Sequence, residues 1–168
     1  HDGSVGFVPT MGALHRGHLS LIKISKKNCA STIVSIFVNP AQFSPDEDFD
    51  SYPKTTKQDL KYLKRENVDA VFLPLADELY KETQNEYFYD TPLSYKLEGK
   101  SRPHFFKGVT MVVNKLFNIV NPTHAIFGQK DAQQLIIIKQ MIQNKNYPIK
   151  MLEGPTIRDE NGLALSSR

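Results

Sequence analysis

The sequence predicts a single α/β domain built on a doubly wound parallel sheet. Two observations carry this expectation. Short apolar or β-branched runs closed by proline, asparagine or glycine alternate with stretches of helical hydrophobic spacing along most of the chain. The 168 residues are also the usual size of one domain, enough for one core.

In order, residues 5–8 form an apolar run ended by Pro9, and residues 32–38 a longer β-branched run ended by Asn39-Pro40. Both read as buried strands. Between them, residues 18–27 place Leu19 and Ile22 at helical spacing, with Leu21 and Ile24 widening the apolar side, which makes one βαβ unit. A second amphipathic stretch starts at Pro53-Lys54-Thr55 and runs through Leu60 and Leu63 to Glu66, and the apolar run 70–73 follows it before Pro74. Residues 75–106 hold turn-formers and tyrosines without a clear period, so they receive no assignment and read as an insertion. From Gly108 the period returns in Val109, Val112, Val113, Leu116, Phe117 and Val120, closed by Asn121-Pro122. Residues 125–127 then read as a strand broken by Gly128, 132–144 as a helix, 149–152 as a strand and 159–162 as a turn. In such a fold a ligand is expected outside the carboxyl ends of the strands.

Composition narrows the function. Charged residues make up 23%, and 21 basic against 18 acidic give +3, with the lysines scattered. Nucleic acid is therefore not demanded, whereas a few cations converging on a cleft would suit a small anion. No window approaches eighteen apolar residues and no leader is visible, so no membrane partner is expected. The lone Cys29 excludes an internal disulfide and a thiolate cluster and agrees with a cytoplasmic location. A chain that begins at His1 and stops at Arg168 just after a hydroxyl-rich segment reads as an excised piece.

Four segments carry chemistry. The first, residues 9–18, follows the first strand and sets His15 and His18 around Gly17 at a helix start. There the free N–H groups and helix dipole favour an anion and Gly17 admits a phosphate closely, although such a loop also fits ordinary turn residues. The second, residues 36–43, leaves the second strand with Gln42 between the apolar walls Phe37 and Phe43; its amide could read a small polar acid or only tie its own backbone. The third, residues 127–134, sets Lys130 to meet phosphate, Asp131 beside it, and Gln134 one helical turn on, unless it is a plain capping segment. The fourth, residues 162–168, offers Ser166, Ser167 and Arg168 to a polyphosphate, or else is a flexible tail.

The His-x-Gly-His segment opening the first helix resembles the nucleotidylyl transferase superfamily, which includes the class I aminoacyl-tRNA synthetases. Taken in order, residues 9–18, 35–43, 128–134 and 162–168, with Asp50-Ser51-Tyr52-Pro53 and Leu97-Glu98-Gly99, resemble the pantothenate synthetase family over essentially the whole chain. The resemblance implies a Rossmann-like domain that binds ATP and pantoate, with a smaller C-terminal domain of the family lying beyond this chain. It implies an ATP-dependent ligase that joins pantoate to β-alanine through pantoyl adenylate, with Mg²⁺ and a homodimeric assembly. By matching position, Met11, Gly12, Ala13, Leu14, His15, Arg16, Gly17 and His18 would line the ATP site, together with Gly128, Gln129, Lys130, Asp131, Ile157, Leu165, Ser166, Ser167 and Arg168. His15, His18, Lys130 and Arg168 would act on the phosphates, His18 as the family's proton donor, and Ser166 to Arg168 would correspond to the synthetases' KMSKS loop. Gln42 and Gln134 would bind pantoate, Gln42 also lying near β-alanine, while Phe37, Val109 and Val113 pack on its methyl groups. The resemblance names no protein ligand for the metal.

One departure stands out. The family reads Arg-Pro-x-His-Phe where this chain has Arg102-Pro103-His104-Phe105-Phe106, so the histidine comes one place early and His104 is given no role. Two alternatives remain: a nucleotidylyl transferase that releases pyrophosphate without ligation, and a nucleotide-binding module without catalysis. A tRNA synthetase is disfavoured, because nothing supplies an anticodon-reading domain or a clustered basic surface.

Overall fold

The computed structural model describes residues 3–44, 47, 49–80 and 87–167. Five parallel strands form one sheet in the order β3-β2-β1-β4-β5: β1 (Val5–Thr10), β2 (Ser31–Ile36), β3 (Ala70–Phe72), β4 (His124–Gly128) and β5 (Lys150–Gly154). Helices α1 (Arg16–Asn28) and α2 (Thr56–Arg65) cover one face, and α5 (Phe105–Val120) and α6 (Ala132–Asn144) cover the other. Two short helices, α3 (Ala76–Leu79) and α4 (Glu98–Ser101), lie between β3 and α5.

Alternation along the strands produces two cores. Phe7, Ala125 and Phe127 pack with α5 and α6, while Val8, Val34 and Ile126 pack with Ile22 of α1 and Leu63 of α2. Strands buried on both faces must be apolar at successive positions, which is why they appear in the sequence as unbroken runs.

Boundaries differ from the sequence reading for local reasons. β1 runs through Pro9 to Thr10. The Thr10 carbonyl accepts the Phe37 N–H on the β2 side, so Pro9 turns the other way, towards β4, where pairing has already stopped at Phe7. Its missing donor costs nothing there. α5 starts three residues before Gly108, which lies inside the helix because a Cβ there would sit 2.2 Å from the Ala41 carbonyl oxygen. Asn121 ends α5 in the left-handed region (φ 47°, ψ 55°), with Pro122 behind it.

The stretch 75–106 read as an insertion is, in its described part, the crossing from the β3 edge to the far half of the sheet, and it adds Leu79 to the α5–α6 core. Its residues follow the tertiary path instead of a period, which hid α3 and α4. This crossing also reverses the strand order between β1 and β4. Those two strands pair only at Gly6–His124 and Phe7–Ala125, whereas β1 and β2 pair over six residues. Beyond Phe7 they part, and the crevice at their carboxyl ends is the expected ligand position.

Candidate active site

A cavity of about 550 Å³ opens in that crevice, within the usual size range of small-molecule sites. Four segments converge on it: the β1–α1 loop, the residues after β2, the β4–α6 junction and residues 155–157 with 165–167.

His15 caps α1 in extended geometry (φ −133°, ψ 177°), and the two histidines complete a reciprocal cap. The Gly17 N–H donates to His15 Nδ1 at 3.1 Å, and the His15 N–H donates to His18 Nδ1 at 3.2 Å. Each imidazole therefore accepts through Nδ1, so in its neutral form the proton sits on Nε2. Burial lowers the His15 pKa, with Lys130 adding to the effect; burial, then His15 and Lys130, lower that of His18 to about 3. At neutral pH both rings are thus uncharged hydrogen-bond donors. The ring centroids stand 4.1 Å apart. Gly17 makes room for this pair, since a Cβ there would come within 2.8 Å of the His15 ring.

Lys130 follows β4 and pairs with Asp131 at 3.1 Å, its side chain 40% exposed at the cavity. A partly exposed ion pair of this kind is worth little by itself, so its cation remains free to exchange partners. Gln42 is buried, and its amide is not tied to its own backbone: Nε2 donates to Met11 Sδ at 3.0 Å and Oε1 accepts from Asn39 Nδ2 at 3.2 Å. Asn39, only 1% exposed, is fixed in turn, donating to the Gly108 carbonyl at 3.1 Å and accepting from the Tyr80 hydroxyl at 2.6 Å. Phe37, Val109 and Val113 supply a buried apolar wall, and Gln134 lines the same cavity.

Met11, His15, Gly17 and His18 line the cavity, as do Gly128, Lys130, Asp131, Ile157, Leu165, Ser166 and Ser167. Gly12, Ala13, Leu14, Arg16 and Gln129 do not. The N–H groups of Ala13 and Leu14 turn to the buried carboxylate of Asp59, Leu14 and Arg16 border a smaller groove with His15, and Gln129 reaches Glu153. Arg168 lies outside the described residues. Residues 162–167 are held in place instead of trailing: Leu165 N–H donates to the Ile157 carbonyl at 3.0 Å, and the Ser167 hydroxyl donates to the Ala13 carbonyl at 3.0 Å.

Several participants escaped the sequence reading. Arg102 lies at the cavity, bonded to Glu47 and Glu98 and, at 3.2 Å, to the Gln42 carbonyl, with its guanidinium 3.9 Å from the Phe105 ring centroid. Phe105 lines the cavity at the position where the resemblance leads one to expect a histidine, while His104 is exposed and outside it. Gln133 spans to the 93–98 turn, donating to the Leu93 and Lys96 carbonyls and accepting from the Glu98 N–H. The only signal for Asp59 was a lone acid in a basic helix; Asn39 read merely as a strand stop. Among the described residues no group of three or more His, Cys, Asp or Glu side chains forms a metal cage.

Comparison with known proteins identifies the family and the fold. The family model described as pantoate-beta-alanine ligase matches residues 1–168. The pantothenate synthetase of Nitrosomonas europaea is 51% identical over all of this chain and 61% of its own length; that of Fervidobacterium nodosum is 52% identical over 98% and 59%. The crystal structure of pantothenate synthetase from Thermus thermophilus superposes with a TM-score of 0.95 at 43% identity, covering 98% of this chain and 60% of that one. The Francisella tularensis pantoate-beta-alanine ligase, described as complexed with beta-gamma ATP and beta-alanine, superposes with 0.94 at 42% identity, over 98% and 63%. The chain thus spans about three fifths of the relatives it matches. With a cavity at the β1–β4 crevice, paired imidazole donors and a match along its whole length, the chain belongs to the pantoate-beta-alanine ligase family.

Proposed function

We propose that the full-length protein condenses pantoate with β-alanine at the expense of ATP, and that residues 1–168 are the ATP- and pantoate-binding domain. The pantoate carboxylate attacks the α-phosphorus, the bond from that phosphorus to the α,β-bridging oxygen breaks, and pyrophosphate leaves. The β-alanine amine then attacks the pantoyl carbonyl, AMP leaves, and the amine's proton passes to solvent or to the phosphate group of the departing AMP. Adenylation is required because a free carboxylate does not acylate an amine at neutral pH.

The observation that carries this reading is one cavity uniting the neutral Nε2–H donors of His15 and His18 and the Lys130 cation with Gln42, Gln134 and an apolar wall. The imidazoles donate to phosphate oxygens where charge develops, and Lys130 exchanges Asp131 for the leaving pyrophosphate. Gln42 and Gln134 address the hydroxyl and carboxylate of pantoate, and Phe37, Val109 and Val113 its methyl groups. Met11, Gly128, Ile157, Leu165, Ser166 and Ser167 bound the nucleotide, with Arg168 continuing that rim. His18 serves as a hydrogen-bond donor more than as a source of a full proton, because its pKa near 3 leaves it neutral in the free site. Mg²⁺ bound to the ATP phosphates would offset their charge, a mode needing only one or two protein carboxylates; Asp131 and Glu98 are the exposed carboxylates that line the cavity and would hold it. The reading extends to a cytoplasmic homodimer; none of the described helices is long and apolar enough to cross a membrane.

Release of pyrophosphate and AMP by the full-length protein tests this. Pyrophosphate that depends on pantoate and AMP that depends on β-alanine are expected. Pyrophosphate release with a nucleotide-linked product and no need for β-alanine would favour a nucleotidylyl transferase; ATP binding without turnover would favour a non-catalytic module.

A further inference from the structure

Asp59 on α2 is 1% exposed, and its carboxylate takes two main-chain N–H groups of the turn after β1. Oδ2 accepts from Ala13 at 3.0 Å and Oδ1 from Leu14 at 2.9 Å, while the Thr55 hydroxyl lies 3.1–3.2 Å from both oxygens. The turn needs such support, because Gly12 (φ 82°) and Ala13 (φ 49°) both occupy the left-handed region, which is unfavourable for alanine. A Cβ at residue 12 would lie 3.0 Å from Ile36 Cγ2 and 3.2 Å from Asp59 Oδ2, so the carboxylate is packed against the turn as well as bonded to it.

A buried carboxylate is costly unless its oxygens are satisfied. The turn supplies two main-chain N–H groups to these oxygens and Thr55 a hydroxyl, and Asp59 does not line the cavity. The same turn leads on both sides into the site. The Ala13 carbonyl receives the Ser167 hydroxyl, and the residue after Leu14 is His15, which begins the imidazole cap.

We propose that Asp59 is a positioning residue for the phosphate-handling groups: by holding the Ala13 and Leu14 N–H groups it fixes where the His15–His18 cap begins and where Ser167 docks. The inference rests on reading the cavity as an ATP site. Two N–H groups of the glycine-containing loop are thereby withdrawn from the ligand.

Full-length Asp59→Asn and Thr55→Val test this through residue-resolved amide exchange, ATP affinity and steady-state kinetics. An asparagine can accept only one of the two N–H groups and opposes the other with its own NH₂. In Asp59→Asn, exchange at Ala13 and Leu14 is expected to quicken by about tenfold or more while β2 and α6 keep their protection. ATP binding should weaken, and kcat should fall by about 10–100-fold with the pantoate KM changed by less than about twofold. Thr55→Val should move the same quantities the same way by less, and carries the test alone if Asp59→Asn does not fold. Unchanged exchange at Ala13 and Leu14, quickened exchange with unchanged ATP affinity and kcat, or exchange quickened equally across the sheet would each overturn the proposal. If the wild-type protein shows no ligase turnover but Asp59→Asn still loosens these two amides and weakens ATP binding, the ligase reading fails and the positioning role stands.

Discussion

Ser167 donates its hydroxyl to the carbonyl of Ala13 at 3.0 Å, across 154 positions of sequence, and so ties the far end of the described chain to the first loop of the sheet. The bond closes one side of the cavity with a segment whose sequence alone allowed a free tail. It also places a hydroxyl beside the histidine cap, where a nucleotide phosphate would lie under the proposed function.

The histidine pair gives the sharpest kinetic expectation. Removing one preorganised donor from a site of developing charge costs about 10²–10³ in rate, so His18→Ala is expected to lower kcat by that order. Because both rings are neutral in the free protein, kcat/KM for ATP should show no limb near pH 6.5 that disappears in His18→Ala. Such a limb would mean that an imidazolium is the active form.

The same shift predicts how stability follows pH. The unfolded chain protonates His18 at its ordinary 6.5, whereas the folded chain resists until about 3. Between these values the unfolded state binds the extra proton, so this residue's contribution is fully present above 6.5 and is lost as pH falls towards 3. Thermal melts from about pH 4 to 7 should accordingly show a steeper acid decline in the wild type than in His18→Ala. Parallel curves would contradict the shift.

Gly108 tests the packing of α5 against the residues after β2. A Cβ would meet the Ala41 carbonyl oxygen at 2.2 Å, and backbone cannot rotate aside as a side chain can. Gly108→Ala is expected to destabilise by about 1–3 kcal/mol, the usual cost of overpacking, despite alanine's better helix propensity. Urea unfolding measures it; a gain in stability would show that the two elements separate easily.

Asn39 links three parts of the site through Gln42, the Gly108 carbonyl and Tyr80. Asn39→Ala leaves buried partners unpaired, at about 1–3 kcal/mol for each buried group left unsatisfied, and frees the Gln42 amide. The pantoate KM is expected to rise more than the ATP KM. Equal changes in both would indicate a general loss of structure instead of a misplaced amide.

The regular half of the architecture was legible because it is set by local pattern. Runs such as 32–38 are apolar since both faces of β2 are covered, and Asn121-Pro122 ends α5 by backbone geometry that the residue types require. The motif histidines, Lys130, Gln42 and Gln134 were likewise visible, each lying at a strand end or helix start. What sequence left out was long-range. Asp59 faces a loop 45 and 46 residues away, Arg102 bonds Glu47 across 55, and Gln133 reaches a turn 35 to 40 residues earlier. No spacing rule connects such residues, and each looks locally like an ordinary surface group. The glycine at 108 misled for a related reason: its role is a close approach to another element, and in sequence it resembles a boundary.

The central claim, that pantoate is activated as an acyl adenylate, has a direct test in oxygen transfer. With full-length protein, ATP, Mg²⁺ and β-alanine, pantoate carrying ¹⁸O at both carboxylate oxygens is supplied and the products are analysed by mass spectrometry. Attack on the α-phosphorus followed by aminolysis leaves one ¹⁸O in the pantothenate amide carbonyl and delivers one to the phosphate of AMP. Label appearing instead in inorganic phosphate, with ADP formed, or AMP carrying no label, would contradict the account.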